Sequence, residues 1–497
     1  PDTDSIAIAY YKNLWIRSDL VWHRYGNSYR DGCNHTSRRL ESIRDSRHFT
    51  WKYFNRNSSS WVLSIFYTID PRRHFVHCVP TTCVMAALWL GINMDKSKRG
   101  PLDGIKVIEL GSLIAGPYAS ALLAQFGADV IKIEPPKIGD PLRKWRKMDG
   151  DTSLWWYSQS RNKKSLTLNL KDEEAQQVVR DLVRDADVVI ENFRPGTLER
   201  WNIGWEQLSE LNPDLVMLRV SGYGQTGPDA SKPGFASIAE AIGGLRYLIG
   251  EPDRAPVRTG VSIGDTLASL YGVVGTMIAL RHASLTGEGQ VVDVSLVESV
   301  LAVTESLIPE YGVDGSIRER TGAMLPGISP SNTYSTLDGK YLVLAANGDS
   351  IFQRLMHAIG REDIAKDPRF KHNEGRANDY KELDEILASW SETLTLQDAL
   401  VILEQADVPA SGINSVAEVF ENPQLKARGA IEHHRLESGK ELYMPATVPK
   451  LSRTPATTRW LGPKLGAHNQ EVLEDIGLND EQIKRITGGE SAGDAND

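Results

Sequence analysis

From Pro101 onward the chain alternates strand-like and helix-like stretches, and this alternation constrains its fold more than any other feature. "IKVIEL" (105–110) reads as a buried strand, "GSLIAGP" as a turn, and "YASALLAQFG" as a helix closed by Gly127. "ADVIKIE" (128–134) is the next strand and "SLTLNL" alternates like another. "DEEAQQVVRDLVRDA" is an amphipathic helix, while "DVVIENF" and "DLVMLRVSGYG" are further strands. This order predicts an α/β fold with a mainly parallel sheet, whose ligands sit beyond the carboxyl ends of the strands.

Within that frame several classes of function drop out. "GSLIAG" has glycine at its first and sixth positions only, so the second glycine that lets backbone approach a pyrophosphate is missing, which disfavours NAD or FAD. No Walker loop, H-E-x-x-H or G-x-S-x-G occurs, which disfavours a P-loop NTPase, a zincin and an α/β-hydrolase. The net charge is -9 and no basic stripe marks the main body, so nucleic acid is not an expected partner. The longest uncharged runs fall short of the roughly twenty apolar residues of a bilayer span, and no membrane segment is expected.

Cys33, Cys78 and Cys83 all precede residue 100, leaving no thiol nucleophile or cysteine-held zinc in the main body. They form no disulfide framework, so an intracellular compartment, cytoplasmic or mitochondrial, is expected. Residues 1–100 lack periodic patterning and are rich in Arg, Trp, His and Tyr. Asp2, Asp4, Asp19 and Asp31 argue against a transit peptide. An unassigned extension, disordered or the product of a misplaced gene start, is the expectation for 1–100.

The remaining organisation follows from composition. Residues 101–318 read as a large domain and the Pro/Gly-rich stretch 319–334 as a linker. A smaller domain spans 335–405, the chain returns to the large domain over 406–480, and 481–497 is a polar, disordered tail. Asp265, in "RTGVSIGDTLASLYGVVGTMIALRH", stands before apolar residues at helical spacing, as an N-cap would with the helix beginning at Thr266.

Several stretches in order resemble one family, the class III CoA-transferases, which are related to α-methylacyl-CoA racemases. They are "PLDGIKVIELGSLIAGPYASALLAQFGADVIKIEPP", "NKKSLTLNLK", "DVVIENFRPGTLERWNIG", "LNPDLVMLRVSGYGQTGP", "PVRTGVSIGD", "TGEGQVVDVSLVES" and "LGAHNQEVLEDIGL". The resemblance covers about residues 101–480. It implies a Rossmann-like large domain, a smaller α/β domain and an interlocked homodimer. It also implies that Asp265 is the nucleophile, held as the anion at a helix N-terminus. CoA contacts carried over from the family fall on Ile114, Ala115, Asn192, Phe193, Arg200, Gly234 and Phe235.

The implied chemistry needs no ATP, metal or redox cofactor, only CoA thioesters as substrates. A carboxylate attacks an acyl-CoA to give an aspartyl anhydride, CoA thiolate converts this to an enzyme-CoA thioester, and an acceptor carboxylate reverses the sequence. The tetrahedral oxyanions need donors, and the glycine-containing "GAMLPGISP" is the candidate loop. Oxalate-specific members carry Gln at the position of Ile114 and an acid at that of Ala236, so oxalate is not the expected acceptor.

Arg246, Arg254, Arg258, Arg318 and Arg320 flank the nucleophile segment and the glycine-containing loop, and favour a second carboxylate on the substrate. A short dicarboxylate system is therefore expected, with succinyl-CoA as donor. Two alternatives stay open. A racemase would need a His where Phe235 stands, since Phe exchanges no proton; a non-catalytic CoA-binding protein would share the fold without the reaction.

Overall fold

A computed structural model describes residues 100–488, so the expectations placed on 1–99 and 489–497 lie outside the described residues. The first strand, β1 (Lys106–Glu109), leads through a short loop into α1 (Ala115–Gln125) and β2 (Asp129–Glu134). After β3 (Lys163–Thr167) come α2 (Glu173–Val183), β4 (Val188–Glu191) and β5 (Val216–Ser221). The helices α3 (Ala236–Ile242) and α4 (Ile263–Thr286) then precede β6 (Gln290–Ser295) and α5 (Leu296–Leu301).

These six strands form one sheet in the order β3-β2-β1-β4-β5-β6, with every pairing parallel. Such a sheet must be covered on both faces, which is why Val188–Ile190 and Val216–Leu218 are continuous buried apolar runs. One face packs against α2, whose Val179 and Leu182 join Leu166 and Met217. The other receives α1 and α4 through Ala119, Leu123 and Ala268 against Leu218 and Val220. The α/β architecture with a mainly parallel sheet is thus the observed one.

A second core lies around the antiparallel strands β7 (Ser331–Ser335), β8 (Tyr341–Ala345) and β9 (Ala410–Gly412). Their helices α6 (Asp349–Ala358), α7 (Tyr380–Ser391) and α8 (Leu396–Gln405) bring in Phe352, Leu387 and Leu403. The chain then returns to the open edge of β3. His468 N–H donates to Ser165 O (3.1 Å), and Thr167 N–H donates to the Asn469 side chain (2.9 Å). The helix α9 (Asn469–Asp475) adds Val472 and Leu473 to the large core.

Four local expectations are corrected. The strand expected at 165–170 lies at Lys163–Thr167, because Lys163 is drawn into the sheet by Glu109 (Nζ to Oε2 2.8 Å). The linker expected over 319–334 ends in β7, which pairs with β8 from Ser331 onward. The tail expected from residue 481 begins with a helix, α10 (Asp480–Thr487), closed by a reciprocal Asn479/Gln482 capping box and burying Ile483. The helix expected to start at Thr266 starts at Ile263, so Asp265 lies inside its first turn rather than at its cap.

That helix, α4, runs for 24 residues. Among the described residues it is the one helix long and apolar enough to cross a membrane, by length and composition. One side lies on the sheet with almost no gap: a Cβ on Gly272 would come within 3.0 Å of Leu218, and one on Gly275 within 2.6 Å of Val292. The opposite side is exposed and apolar, with Leu270, Val274, Ile278 and Leu285 all facing outward.

Candidate active site

The carboxyl ends of β1 and β4 diverge at the point where the strand order reverses, the place where open α/β sheets bind ligands. The loop 110–114 fills this point. The Asn192 side chain reaches across from β4 to accept from Ser112 N–H and to donate to Ser112 O, both at 2.8 Å. Gly111 makes room for it, since a Cβ there would stand 2.7 Å from Asn192 Oδ1.

Leu113 sits in the left-handed region at φ 66°, a costly conformation for a residue with a Cβ. Two side chains hold it there. Its N–H donates to both oxygens of Asp140 at 3.1 Å, and its carbonyl accepts from Gln159 Nε2 at 2.7 Å. Asp140 is anchored by Lys132 (2.8 Å), which also binds Glu109 (2.6 Å) and the Gly111 carbonyl (2.9 Å). Burial works to raise the Glu109 carboxyl, but the ammonium groups of Lys132 and Lys163 prevail and hold it at about 2. For Lys163 burial prevails over Glu109 and lowers it to about 8.

Two cavities meet at this loop. The larger, about 580 Å³, opens at the carboxyl ends of β1, β2 and β3 and is lined by Gly111, Ser112, Pro135, Asn169, Lys171 and Phe193. Its far wall includes Trp201, packed edge-on against Phe193 at 5.4 Å. The smaller, about 320 Å³, is lined by Ile114, Tyr118, Arg146, Trp155, Gln159, Val261, Ser262 and Thr266.

Asp265 lies between Ser262 and Thr266 in the first turn of α4. The Ser269 hydroxyl, one turn on, donates to the Ala115 and Asp265 carbonyls, both at 2.7 Å, and so ties this turn to the start of α1. The carboxylate is half-buried. Burial first and the charge of Glu240 second raise it to about 6, against the opposing pull of Arg258. Glu240 is itself buried, with one oxygen on Arg246 (3.1 Å) and the other without a hydrogen-bond partner.

The other nominated residues divide. Ile114 lines the smaller cavity, Phe193 the larger, and Ala115 and Asn192 hold the loop between them. Gly234 and Phe235 precede α3, where Ala236 packs on Gly264 so closely that a Cβ on that glycine would come within 3.2 Å. Phe235 itself is 69% exposed. Arg200 is brought to neither cavity; it is exposed and donates to Thr197 Oγ1 (3.1 Å).

Of the five arginines, Arg246 pairs with Glu240, Arg318 with Glu305 (3.5 Å) and Glu310, and Arg320 donates to the Tyr247 carbonyl (2.9 Å). Arg254 is exposed, and Arg258 is the one whose charge acts on Asp265. The glycine-containing loop begins against residues 247–251, with Gly322 N–H donating to Gly250 O (3.1 Å). Sequence reasoning missed Tyr118, Asp140, Arg146, Trp155, Gln159 and Lys171. Asp140 and Lys171 follow β2 and β3, and the strand-end rule alone would have nominated them. Among the described residues no group of three or more His, Cys, Asp or Glu is gathered as metal ligands would be.

Residues 102–469 match the model of CoA-transferase family III. The succinyl-CoA–D-citramalate CoA-transferase of Chloroflexus aurantiacus is 47% identical over 388 residues, covering 78% of this chain and 96% of that protein. The succinyl-CoA–L-malate CoA-transferase beta subunit of the same organism is 44% identical over 394 residues, with 78% and 96% covered. A CaiB/BaiF family protein from Brucella suis shares the fold at a TM-score of 0.68 and 34% identity, covering 76% of this chain and all of that one. The chain belongs to CoA-transferase family III, and it is a CoA-transferase.

Proposed function

We propose that the protein moves CoA from succinyl-CoA to a short dicarboxylic acid, with Asp265 as the nucleophile. The observation that carries this reading is the shared loop 111–114, which borders the larger cavity with Gly111 and Ser112 and the smaller with Ile114, next to the first turn of α4. The nucleotide end of CoA fits the larger cavity, where Lys171 offers a cation, and the pantetheine passes the loop to bring the thioester to Asp265. The substrates of the two Chloroflexus relatives support succinyl-CoA as donor and a dicarboxylate as acceptor.

An Asp265 oxygen attacks the thioester carbonyl, the C–S bond breaks, and CoA leaves as thiolate. The thiolate attacks the aspartyl carbonyl of the mixed anhydride, releasing succinate and forming an enzyme-CoA thioester. The acceptor carboxylate then displaces CoA to form a second anhydride, and the returning thiolate takes the acceptor acyl group and frees Asp265. No proton is transferred and no cofactor beyond the CoA thioesters is required. A carboxylate raised to about 6 remains mostly ionised at neutral pH while being more nucleophilic than a solvated Asp. The glycine-containing loop from Gly322 supplies the oxyanion donors in this reading.

The chain also acts as a homodimer in this reading, because Leu270, Val274 and Ile278 form an exposed apolar strip on α4 that water would otherwise meet. The reaction is tested by incubating the protein with succinyl-CoA and a panel of mono- and dicarboxylates and weighing the new CoA thioesters. Transfer to dicarboxylates is expected; transfer to monocarboxylates alone defeats the acceptor assignment. Epimerisation of a 2-methylacyl-CoA without transfer defeats the reaction itself.

A further inference from the structure

Arg146 was not among the arginines nominated from sequence, yet it is the one that lines the cavity beside the nucleophile turn. Its surroundings are unusual in three respects. Its backbone is left-handed at φ 62°, a conformation that is strained for a residue with a Cβ. Its guanidinium lies over the ring of Trp155, 5.1 Å from the centroid, and Trp155 is itself braced at 6.3 Å by Trp145. Among the described residues it has no carboxylate partner, whereas Arg143, three positions earlier, is locked onto Glu134 at 2.7 Å.

Arg146 is exposed in the single chain, yet its left-handed backbone and the aromatic shelf beneath it confine where its guanidinium stands. An arginine that must stand ready for an anion uses both, because the ring fixes the plane of the guanidinium without neutralising it. The same cavity is lined by Val261, Ser262 and Thr266, which flank Asp265 in the sequence. A short diacid lying in this space has one carboxyl at the nucleophile and the other at the cation.

We propose that Arg146 is a specificity-determining residue that receives the second carboxylate of the acyl group, both in succinyl-CoA and in the acceptor acid. This rests on the dicarboxylate reading above. The guanidinium fork binds a carboxylate through two parallel N–H···O bonds, and a monocarboxylate of equal length forgoes them. Arg258 keeps a different part, acting on the charge of Asp265 itself.

The test compares the wild type with Arg146→Gln and Arg146→Lys, measuring kcat/KM for the best dicarboxylate acceptor and for the monocarboxylate of equal chain length. Arg146→Gln is expected to lower the dicarboxylate-to-monocarboxylate ratio about 10- to 100-fold, chiefly through KM for the dicarboxylate. Arg146→Lys restores part of the ratio, since the charge remains and the fork is lost. An equal fall for both acids, or no change in the ratio, overturns the role of Arg146 and leaves the dicarboxylate reading standing. A wild type that uses monocarboxylates alone overturns that reading, and the role of Arg146 with it.

Discussion

The Ser269 hydroxyl donates to the Ala115 carbonyl at 2.7 Å, joining two helices whose sequence positions are 154 residues apart. This bond sets the first turn of α4 against the first turn of α1, and with it the distance between Asp265 and the loop 111–114. What the site can do depends on how that turn titrates and on what holds the loop.

Replacing Asp265 with Asn should abolish CoA exchange and stabilise the protein at the same time. The folded-state pKa is raised to about 6 from 3.8, so the fold favours the protonated acid. That contribution is fully present below 3.8 and is lost as pH rises through about 6. Melting curves should therefore agree for the two proteins at pH 3.5 and favour Asp265→Asn by up to about 3 kcal/mol at pH 8. A variant less stable than wild type at pH 8 would show that the fold favours the ionised carboxylate and would reject the raised pKa.

The acidic limb of kcat/KM should reflect the same group, falling about tenfold per pH unit below about 6 as the nucleophile is protonated. Glu240→Gln removes the charge that opposes ionisation of Asp265 and should move the limb to lower pH. A pH profile measured on both proteins decides this, and a limb that stays in place rejects the coupling between the two carboxyls.

Glu109→Gln should be far more damaging than its distance from substrate suggests. It leaves Lys132 and Lys163 buried without their shared anion, and breaking a buried pair in this way costs about 3–5 kcal/mol. Denaturant unfolding at pH 7 measures it, with Lys144→Gln, which breaks an exposed pair with Asp151, as the neutral reference.

Ile278→Asp places a charge in the middle of the exposed apolar face of α4, where Ile278 is 66% exposed in the single chain. Light scattering should find the wild type as a dimer at every dilution and the variant as monomer or precipitate. A wild-type monomer would mean that another surface covers α4.

The fold was legible wherever one strand's own pattern determined its burial, as in "IKVIEL" and "DLVMLRV". It was not legible where a partner far along the chain decides. Lys163 reads as a surface residue until Glu109 is placed beside it, and so β3 was expected two residues too late. The glycine of "GSLIAG" was legible only as part of a turn; the close approach of the Asn192 amide to it is a fact that only the sheet order reveals. Asp265 stood out from sequence because its motif is local. Arg146 did not, because its left-handed backbone and the Trp155 ring beneath it are set by tertiary structure.

The return of the C-terminal segment to β3 also imposes a timetable on synthesis. The outer strand of the main sheet is complete when Thr167 emerges, but the residues that cover it, Trp460 to Asn469, follow only about 290 residues later. At about 5–20 residues per second, this leaves a raw hydrogen-bonding edge open on the ribosome for about 15–60 s. Nonsense mutations falling after Asn469 spare that cover, whereas those falling before Trp460 release a finished sheet with an open side, ready to pair with its neighbours on the same polysome.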